Sequence, residues 1–506
     1  MTPVRTLQQW VRRSPYYKWW AAAAVGTITA LEVAHFGAVN VAQPNIADRF
    51  GSDLPTVQWV TLGHLLAISV LLLPMGRVSD MVGRKRIFVW GMLAFIAGTA
   101  LAGTATSLPA LIFFRVLQGI GPAMIIANEM AIMTSLFPDR ERGTALGVHM
   151  MAVGLGLVIG PAIGGLLIGA LGWRYVFLAF VPLGLLALIP FLLVVDESHL
   201  RQGGARAQND TFDWPGAATS TLALLLFLLA VSNGHRLGWE SPFVLGGLAL
   251  SVVSLGAFVW WELRTDSPMM ELRLFKSQMF SIAVAARTIF FITGAAPIFL
   301  MPFYLLGVAG YSAVQAGFIM AAMALSTTVT GPVGGWLTDR FGWKPVALGG
   351  AAVSGLGLLL LAQLTATTPL TVIVVLLMVQ SSSYALFNLP ISSAILGAVE
   401  RSRHSVVSAF LQLLRNTFTV TGIAVTTLIV TATMASKGLE PSLAIISEAA
   451  GTKEALAFTS GMRITFLTMA ALQLAAMVLL VGKGRWIMGP IRSGAAKLGV
   501  RRSLPG

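Results

Sequence analysis

Long apolar stretches separated by short polar segments run along the whole chain of 506 residues. Each stretch is continuous over about 20 residues, the length of helix that crosses about 30 Å of hydrocarbon. None of them alternates between apolar and polar positions, as a transmembrane β-strand does. Because hydrocarbon offers no partner for backbone N–H and C=O groups, each stretch must pair these groups internally, as a helix. The pattern therefore predicts an all-α integral membrane protein.

The apolar stretches predict fourteen membrane spans. They lie near residues 19–43, 56–76, 87–105, 109–135, 143–170, 173–195, 215–233, 242–262, 281–306, 314–336, 345–364, 369–396, 405–433 and 463–482. An even number of spans places the two ends of the predicted set on the same side of the membrane.

The composition agrees with this class, since 56% of the residues are apolar and only 11% are charged. The net charge of +14 could indicate a nucleic-acid partner, but its distribution argues against one. With the N-terminus in the cytoplasm, 25 of the 34 Lys and Arg residues fall in cytoplasmic segments and six fall in segments on the other side. This asymmetry follows the positive-inside rule. We therefore expect cytoplasmic N- and C-termini, a lipid bilayer as the surroundings, and no nucleic acid as a partner.

Several kinds of site have no counterpart in the sequence. The chain has no cysteine, its six histidines are scattered, and it contains no phosphate-binding GxxxxGK[ST] loop. These observations predict no metal site, no cofactor and no direct ATP hydrolysis. A nucleophile–base arrangement is not visible either, so we expect a protein that is not an enzyme.

A short motif occurs twice, after the second and after the tenth span. Both copies fit the pattern G-x-[LV]-x-D-x-x-G-x-[KR], and their key residues are Gly76, Asp80, Gly83, Arg84 and Lys85 in the first copy and Gly335, Asp339, Arg340 and Gly342 in the second. We expect each copy to form a cytoplasmic loop in which the aspartate pairs with an arginine or with the positive end of a helix. The glycines would permit a tight turn and close helix approach. Such loops would act as latches that hold one conformation of a transporter and release another.

The spacing of the two copies predicts the organisation of the chain. Equivalent loops of two six-span halves would be six spans apart, but these copies are eight apart, so two spans are inserted between the halves. The predicted parts are a cytoplasmic segment 1–18, a six-helix bundle 19–195, a cytoplasmic linker 196–214, two inserted helices 215–262, a cytoplasmic loop 263–280, a second six-helix bundle 281–482 with an extracytoplasmic loop at about 434–462, and a basic cytoplasmic tail 483–506.

These motifs resemble those of the major facilitator superfamily, in particular its fourteen-span drug:proton antiporters of the QacA/EmrB type. The two repeated loops match the signature loop of that superfamily. The segment RVLQGIG at 115–121 resembles its R-x-x-Q-G-x-G motif, and the segment WRYVF at 173–177 opens the sixth span as such proteins do. The resemblance covers nearly the whole chain. It implies two six-helix bundles with two additional helices and an exchange of substrate for protons.

The fifth span carries the pattern G-x-x-x-G-P-x-x-G-G of the family's antiporters, at Gly156, Gly160, Pro161, Gly164 and Gly165. Three of these glycines recur every four residues and so share one face of a helix. A face of glycines lets a neighbouring helix pack backbone against backbone, and the proline weakens one helical hydrogen bond. By resemblance, this motif marks exporters.

Ionisable residues inside the spans are candidates for function because a charge at bilayer depth is costly unless it is paired or hydrated. We assign proton coupling to Glu32, His35, Arg115 and Glu129. The family usually has an acid at the position of His35, so we expect Glu32, one turn earlier, to take the proton and His35 to modulate or relay it. Arg115 would bias a nearby proton as a permanent cation. Glu129 is either a second proton site or a cavity residue that attracts cations.

The sequence also predicts a substrate cavity inside the membrane. Its candidate residues are Glu129, Arg287, Phe303, Tyr304 and Arg415. The two arginines either pair with an acid across the halves or reach the cytoplasmic mouth. His64 and His149 are expected to be packing residues of the helices.

These features predict a proton-driven exporter of small amphiphilic compounds in a bacterial plasma (inner) membrane, with the proton gradient as its energy source. Export or translocation of an endogenous lipid-like molecule or metabolite is an alternative within transport. A membrane sensor or scaffold without transport activity is an alternative from another class. The sequence leaves the oligomeric state open and is compatible with a monomer.

Overall fold

A computed structural model of the chain describes residues 14, 16–137, 141–196, 213–238, 240–265, 272–397, 399, 404–439 and 453–481. Most of the predicted N-terminal segment and of the linker 196–214 lies outside the described residues, as do residues 440–452 of the predicted loop 434–462 and the basic tail. Within the described part, fourteen helices are long and apolar enough to cross a membrane. The predicted all-α fold with fourteen spans is therefore confirmed.

The helices that form the spans are numbered in chain order. The first six are α1 (Tyr17–Phe50), α2 (Leu54–Val57 and Trp59–Val82), α3 (Arg84–Gly103), α4 (Leu108–Ser135), α5 (Arg142–Leu171) and α6 (Tyr175–Leu178 and Phe180–Val194). The next two are α7 (Trp214–Leu237) and α8 (Pro242–Glu262). The last six are α9 (Gln278–Phe303, continued by a wider turn at Tyr304–Val308), α10 (Ala313–Phe341), α11 (Trp343–Leu361), α12 (Leu370–Gly397), α13 (His404–Ser436) and α14 (Lys453–Val481).

Several boundaries differ from those predicted. Helices α2 and α10 continue through the repeated motifs, so a single glycine, Gly83 or Gly342, separates each from the next helix. The expected loops are therefore mostly helical. Helix α14 begins at Lys453, so the span predicted at 463–482 starts earlier than hydropathy alone indicated.

The helices pack as two groups of six with equivalent pairings. Helix α1 packs along α5 in the first group, and α9 packs along α13 in the second. The groups meet along two seams, α5 with α10 and α2 with α13, which occupy equivalent positions in the two halves. We call helices α1–α6 the first bundle and helices α9–α14 the second bundle. Helix α7 contacts α8, α2 and α13, so the additional pair lies beside one seam.

Helix α5 contacts both α1 and α10 through its glycines. A β-carbon added at Gly156, Gly160 or Gly164 would collide with the backbone of α1, and at Gly164 it would lie 2.6 Å from the Cα of Ala38. A β-carbon at Gly165 would lie 2.5 Å from the carbonyl oxygen of Ala313 in α10. The small residues of α5 thus allow the backbones of three helices to approach closely.

The two sides of the molecule are defined by the ends of the helices. The start of α1 and the end of α14 lie on one side, which we call the terminal side, and the opposite side is the distal side. On the distal side the buried apolar residues of both bundles form one cluster. Its members include Val39 and Leu62 of the first bundle and Phe299, Leu305 and Val430 of the second.

On the terminal side the apolar cores of the two bundles are separate. One cluster belongs to the first bundle and includes Phe88, Phe95 and Phe191, and the other belongs to the second and includes Phe280 and Phe387. The bundles are therefore joined on the distal side and divided on the terminal side, among the residues that the structure describes.

The packing of α5 on α1 predicts a contrast between two glycines of the same helix. Gly160→Ala places a methyl group against the backbone of Ala34 and should destabilise the protein by about 1–3 kcal/mol, the usual cost of overpacking. A β-carbon at Gly147 would meet no atom within 4 Å, so Gly147→Ala should be neutral or stabilising, since alanine favours helix by about 1 kcal/mol. Thermal unfolding of the purified variants measures both. Equal melting temperatures for the two variants would contradict this account of α5.

Candidate functional site

Arg115 lies at the centre of a sealed polar network in the first bundle. Its side chain is fully buried, and its Nε donates a hydrogen bond of 2.9 Å to the carbonyl oxygen of Val60. Its Nη1 donates to Gln118 Oε1, and Gln118 Nε2 donates to Thr99 Oγ1. The guanidinium also lies over the ring of Phe177, 5.9 Å from its centroid. This network holds a cation at membrane depth without an ion pair to a carboxylate among the described side chains.

His35 adjoins this network and is enclosed by aromatic rings. Its ring packs edge-on against Phe95, Phe177 and Phe180, with centroids 5.1–5.6 Å away. Its Nε2 lies 3.5 Å from Gln118 Nε2, and 1% of the residue is exposed. His35 is thus connected to Arg115 but shut off from the space between the bundles. Glu32 lies one turn before His35 on the same helix and within electrostatic range of Arg115.

Glu129 connects three helices of the first bundle. Thr29 of α1 donates a hydrogen bond of 3.0 Å to its Oε2, and Nε2 of His149 in α5 lies 3.6 Å from its Oε1. Both Glu129 and His149 are buried, and Nδ1 of His149 has no hydrogen-bond partner. His149 therefore pairs with an acid, whereas the sequence suggested a packing role. Neither Thr29 nor this pairing could be found from a motif, because the contact depends on how α1, α4 and α5 pack.

Glu32 lies in the same region but has a freer carboxylate. The residue is half-buried in the middle of α1, and no described side chain donates a hydrogen bond to it. It lies within electrostatic range of Glu129 and Arg115 in its own bundle and of Arg415 in the second bundle. No ion pair within 4.0 Å joins Glu32 to Arg415 among the described side chains. Glu32 and Arg415 thus belong to different bundles and lie within electrostatic range of each other, without an ion pair among the described side chains.

Arg287 and Arg415 are the charged groups of the second bundle at this depth. Nη1 of Arg287 donates a hydrogen bond of 2.6 Å to Ser392 Oγ, and its guanidinium lies 5.0 Å from the centroid of the Phe291 ring. Its Nε is buried without a partner. Arg287 is 5% exposed, so it does not reach the mouth, and it lies within electrostatic range of Arg415 and Tyr384.

Two of the predicted cavity residues lie elsewhere. Phe303 and Tyr304 are buried in the distal cluster that joins the bundles. The hydroxyl of Tyr304 donates a hydrogen bond of 2.7 Å to the carbonyl oxygen of Thr365. In this conformation they belong to the closed side, and a count of aromatic residues along α9 could not reveal this.

The repeated motifs form two equivalent junctions on the terminal side. Gly83 and Gly342 have φ values of 117° and 83°, and each N–H donates a hydrogen bond of 2.9 Å to the fourth residue before it, Ser79 or Thr338. The positive φ explains the glycine at each junction. Neither a positive φ nor close packing requires glycine at Gly76 or Gly335, since a β-carbon there would meet no atom within 4 Å. The expectation that these two glycines permit close helix approach is therefore wrong.

The charged residues of the motifs have different surroundings. Lys85 Nζ donates hydrogen bonds of 2.5 Å and 3.3 Å to the carbonyl oxygens of Val195 and Leu192, at the end of α6. This arrangement places a cation at the negative end of a helix, and Arg84 begins α3 beside it. The side chain of Asp80 lies outside the described residues. In the second copy, Asp339 and Arg340 are exposed, and the Arg340 guanidinium lies over the ring of Trp336, 5.4 Å from its centroid.

On the distal side, one hydrogen bond between described residues joins the bundles directly. Thr427 Oγ1 in α13 donates to Gln58 Oε1 over 2.6 Å, and both residues are buried. Neither residue belongs to a motif, so this pair could not be predicted from the sequence. Elsewhere in the described chain, no group of three or more His, Cys, Asp and Glu residues could hold a metal ion.

Comparison with known proteins places this architecture in a family. The chain matches the Major Facilitator Superfamily over residues 25–423 and 284–496. It is 30% identical to the Multidrug resistance protein Stp of Mycobacterium tuberculosis over 406 residues, covering 80% of this chain and 74% of the relative. It is also 28% identical to the Riboflavin transporter RibZ of Clostridioides difficile over 378 residues, covering 75% of this chain and 80% of the relative.

The aligned segment is shorter for some relatives, and in one curated multidrug transporter it spans 60% of the relative's length. Among solved structures, a bacterial homologue of the human lysosomal transporter Spinster, in an inward-facing and unoccupied conformation, superposes with a TM-score of 0.67. It is 18% identical, and the alignment covers 92% of this chain and 97% of that one. The match over nearly the whole sequence shows that this chain is a multi-pass membrane protein that belongs to the major facilitator superfamily.

Proposed function

We propose that this protein is a proton-coupled secondary transporter that exports small amphiphilic compounds by alternating access. The observation that carries the proposal is the division between the bundles on the terminal side. There, Glu32 of one bundle and Arg415 of the other lie within electrostatic range of each other, without an ion pair among the described side chains. Opposite charges held apart at membrane depth are costly unless water or a ligand lies between them. They therefore favour a hydrated binding cavity.

The asymmetry of the bundle contacts supports alternating access. The distal side is closed by a shared apolar cluster and by the hydrogen bond between Gln58 and Thr427. Reversal would require rocking of the bundles about the seams α5–α10 and α2–α13. The distribution of Lys and Arg assigns the terminal side to the cytoplasm. The described conformation is then the one that accepts substrate from inside a bacterial cell, in its plasma membrane.

Glu32 and Glu129 are the groups proposed to carry protons. An apolar environment favours the protonated form of a carboxyl group, and a nearby guanidinium favours the ionised form. Rocking of the bundles would change the distance of Arg415 from both glutamates and so change their proton affinity. His35 and Arg115, which are sealed inside the first bundle, would act only indirectly, through the charge of Arg115.

The names of the relatives support export of amphiphiles as the first choice and transport of a metabolite as the second. Stp is named for multidrug resistance, and RibZ is named as a riboflavin transporter. The half-buried ring of Tyr384, whose centroid is 6.3 Å from that of the buried Phe291 near Arg287, offers a surface for an aromatic or aliphatic body.

Replacement of Glu32 tests the coupling. In liposomes with an imposed pH gradient, Glu32→Gln should abolish gradient-driven accumulation of a lipophilic substrate, because the amide cannot exchange a proton. Glu129→Gln should reduce the same accumulation if it is the second proton site. Glu454→Gln is the matched control, since Glu454 lies in the first turn of α14, away from the division. Full gradient-driven transport by Glu32→Gln would show that this assignment is wrong.

A disulfide across the distal seam tests alternating access. A β-carbon at Gly169 of α5 would lie 2.7 Å from Cγ2 of Val314 in α10, so a cysteine sulfur in place of that methyl group would lie within reach of a second cysteine at position 169. The chain has no cysteine of its own. The oxidised double variant Gly169→Cys/Val314→Cys should therefore stop transport, and reduction should restore it, while oxidant should not affect either single variant. Transport at the wild-type rate by fully cross-linked protein would contradict an opening at this seam.

A further inference from the structure

The two bundles carry opposite charges where they are divided from each other on the terminal side, and we call these two faces the walls of the division. Glu32 and Glu129 belong to the first bundle, and Arg287 and Arg415 belong to the second. Among the described residues of the second bundle, the acidic side chains are Asp339 and Glu454, which lie at helix ends. Among the described residues, the arginines thus have no carboxylate in their own bundle at this depth. Their described counter-charges lie across the division.

The polar groups on both walls are incompletely satisfied. The Glu32 carboxylate is half-buried and accepts no hydrogen bond from a described side chain. On the other wall, Arg287 Nε and the neighbouring Asn388 Oδ1 are buried without partners. Arg415 is half-buried and lies within electrostatic range of both glutamates. Buried polar atoms without partners are costly, so a ligand that pairs with them would bind favourably.

From this juxtaposition we propose that the preferred substrates are zwitterionic amphiphiles, whose positive group binds at Glu32 and whose negative group binds at Arg415 and Arg287. This inference rests on the proposed function and names the substrate class. A purely cationic ligand would approach Glu32 but also meet the two arginines. A purely anionic ligand would pair with the arginines but also meet the two glutamates. A zwitterion satisfies both walls at once.

The same placement explains how protons would release such a substrate. A proton taken up by Glu32 removes the negative charge that holds the positive group of the substrate. Binding of the proton and binding of that group are then mutually exclusive, which is the condition for exchange. The apolar body would lie against Tyr384, whose half-buried ring packs on the buried Phe291 beside Arg287.

Three probes with the same dodecyl chain test the inference: dodecyl dimethylglycine (zwitterion), dodecyltrimethylammonium (cation) and tridecanoate (anion). Their binding to purified protein in nanodiscs is measured without a pH gradient, with empty nanodiscs as the blank. The zwitterion should bind at least about tenfold more tightly than either singly charged probe, a difference of about 1.4 kcal/mol. Equal or tighter binding of the cation or the anion to the wild-type protein would overturn the inference, whatever the variants do.

Two substitutions test the contributions of the two bundles separately. Glu32→Gln should remove the preference for the zwitterion over the anion, and Arg415→Gln should remove its preference over the cation. Arg463→Gln, which alters an exposed arginine of α14, should leave the order of the three probes unchanged. An unchanged order in folded Glu32→Gln and Arg415→Gln would also overturn the inference. Gradient-driven uptake is measured separately, so transport of a cation without the binding preference would refute this inference and leave the proposed function standing.

Discussion

The structure depends on the close packing of α5 against two helices at once. Its glycines let α1 approach on one face and α10 of the other bundle approach on another. In a membrane, where lipid is as apolar as the helices, such backbone contact is a main source of association between helices. The contact with α10 forms one of the two seams between the bundles. The position of each charged residue relative to the opposite bundle follows from the same contact.

Because the seams join the bundles mainly on the distal side, the charged residues on the terminal side are held apart. Glu32, Glu129, Arg287 and Arg415 all lie in the terminal or central part of their helices, where the apolar cores of the two bundles are separate. Arg115 and His35 are sealed by aromatic rings and by Gln118. The molecule thus contains one polar network buried inside the first bundle and a second group of charged residues near the division between the bundles. We propose that the second group meets substrate and protons.

The sequence was sufficient for the fold because hydropathy and motifs are local signals. Fourteen apolar stretches and two copies of one motif predicted the helices and the inserted pair. The site was harder to predict because it depends on contacts between distant helices. The pairing of His149 with Glu129 and the hydrogen bond between Thr427 and Gln58 have no motif. Tyr304 was misplaced for the same reason, since a tyrosine near the end of a span does not reveal which side of the molecule is closed.

The central claim is that the protein alternates between two conformations. In one the bundles close the distal side, and in the other they close the terminal side. Spin labels at exposed positions test it most directly, at Gly147 and Phe341 on the terminal side and at Leu171 and Ser312 on the distal side. Pulsed electron paramagnetic resonance then measures the distance between the two labels of each pair, in mildly alkaline and in mildly acidic buffer. The account predicts reciprocal changes, with the terminal pair moving closer as the distal pair moves apart. Distances that stay fixed, or that change in the same direction on both sides, would contradict it.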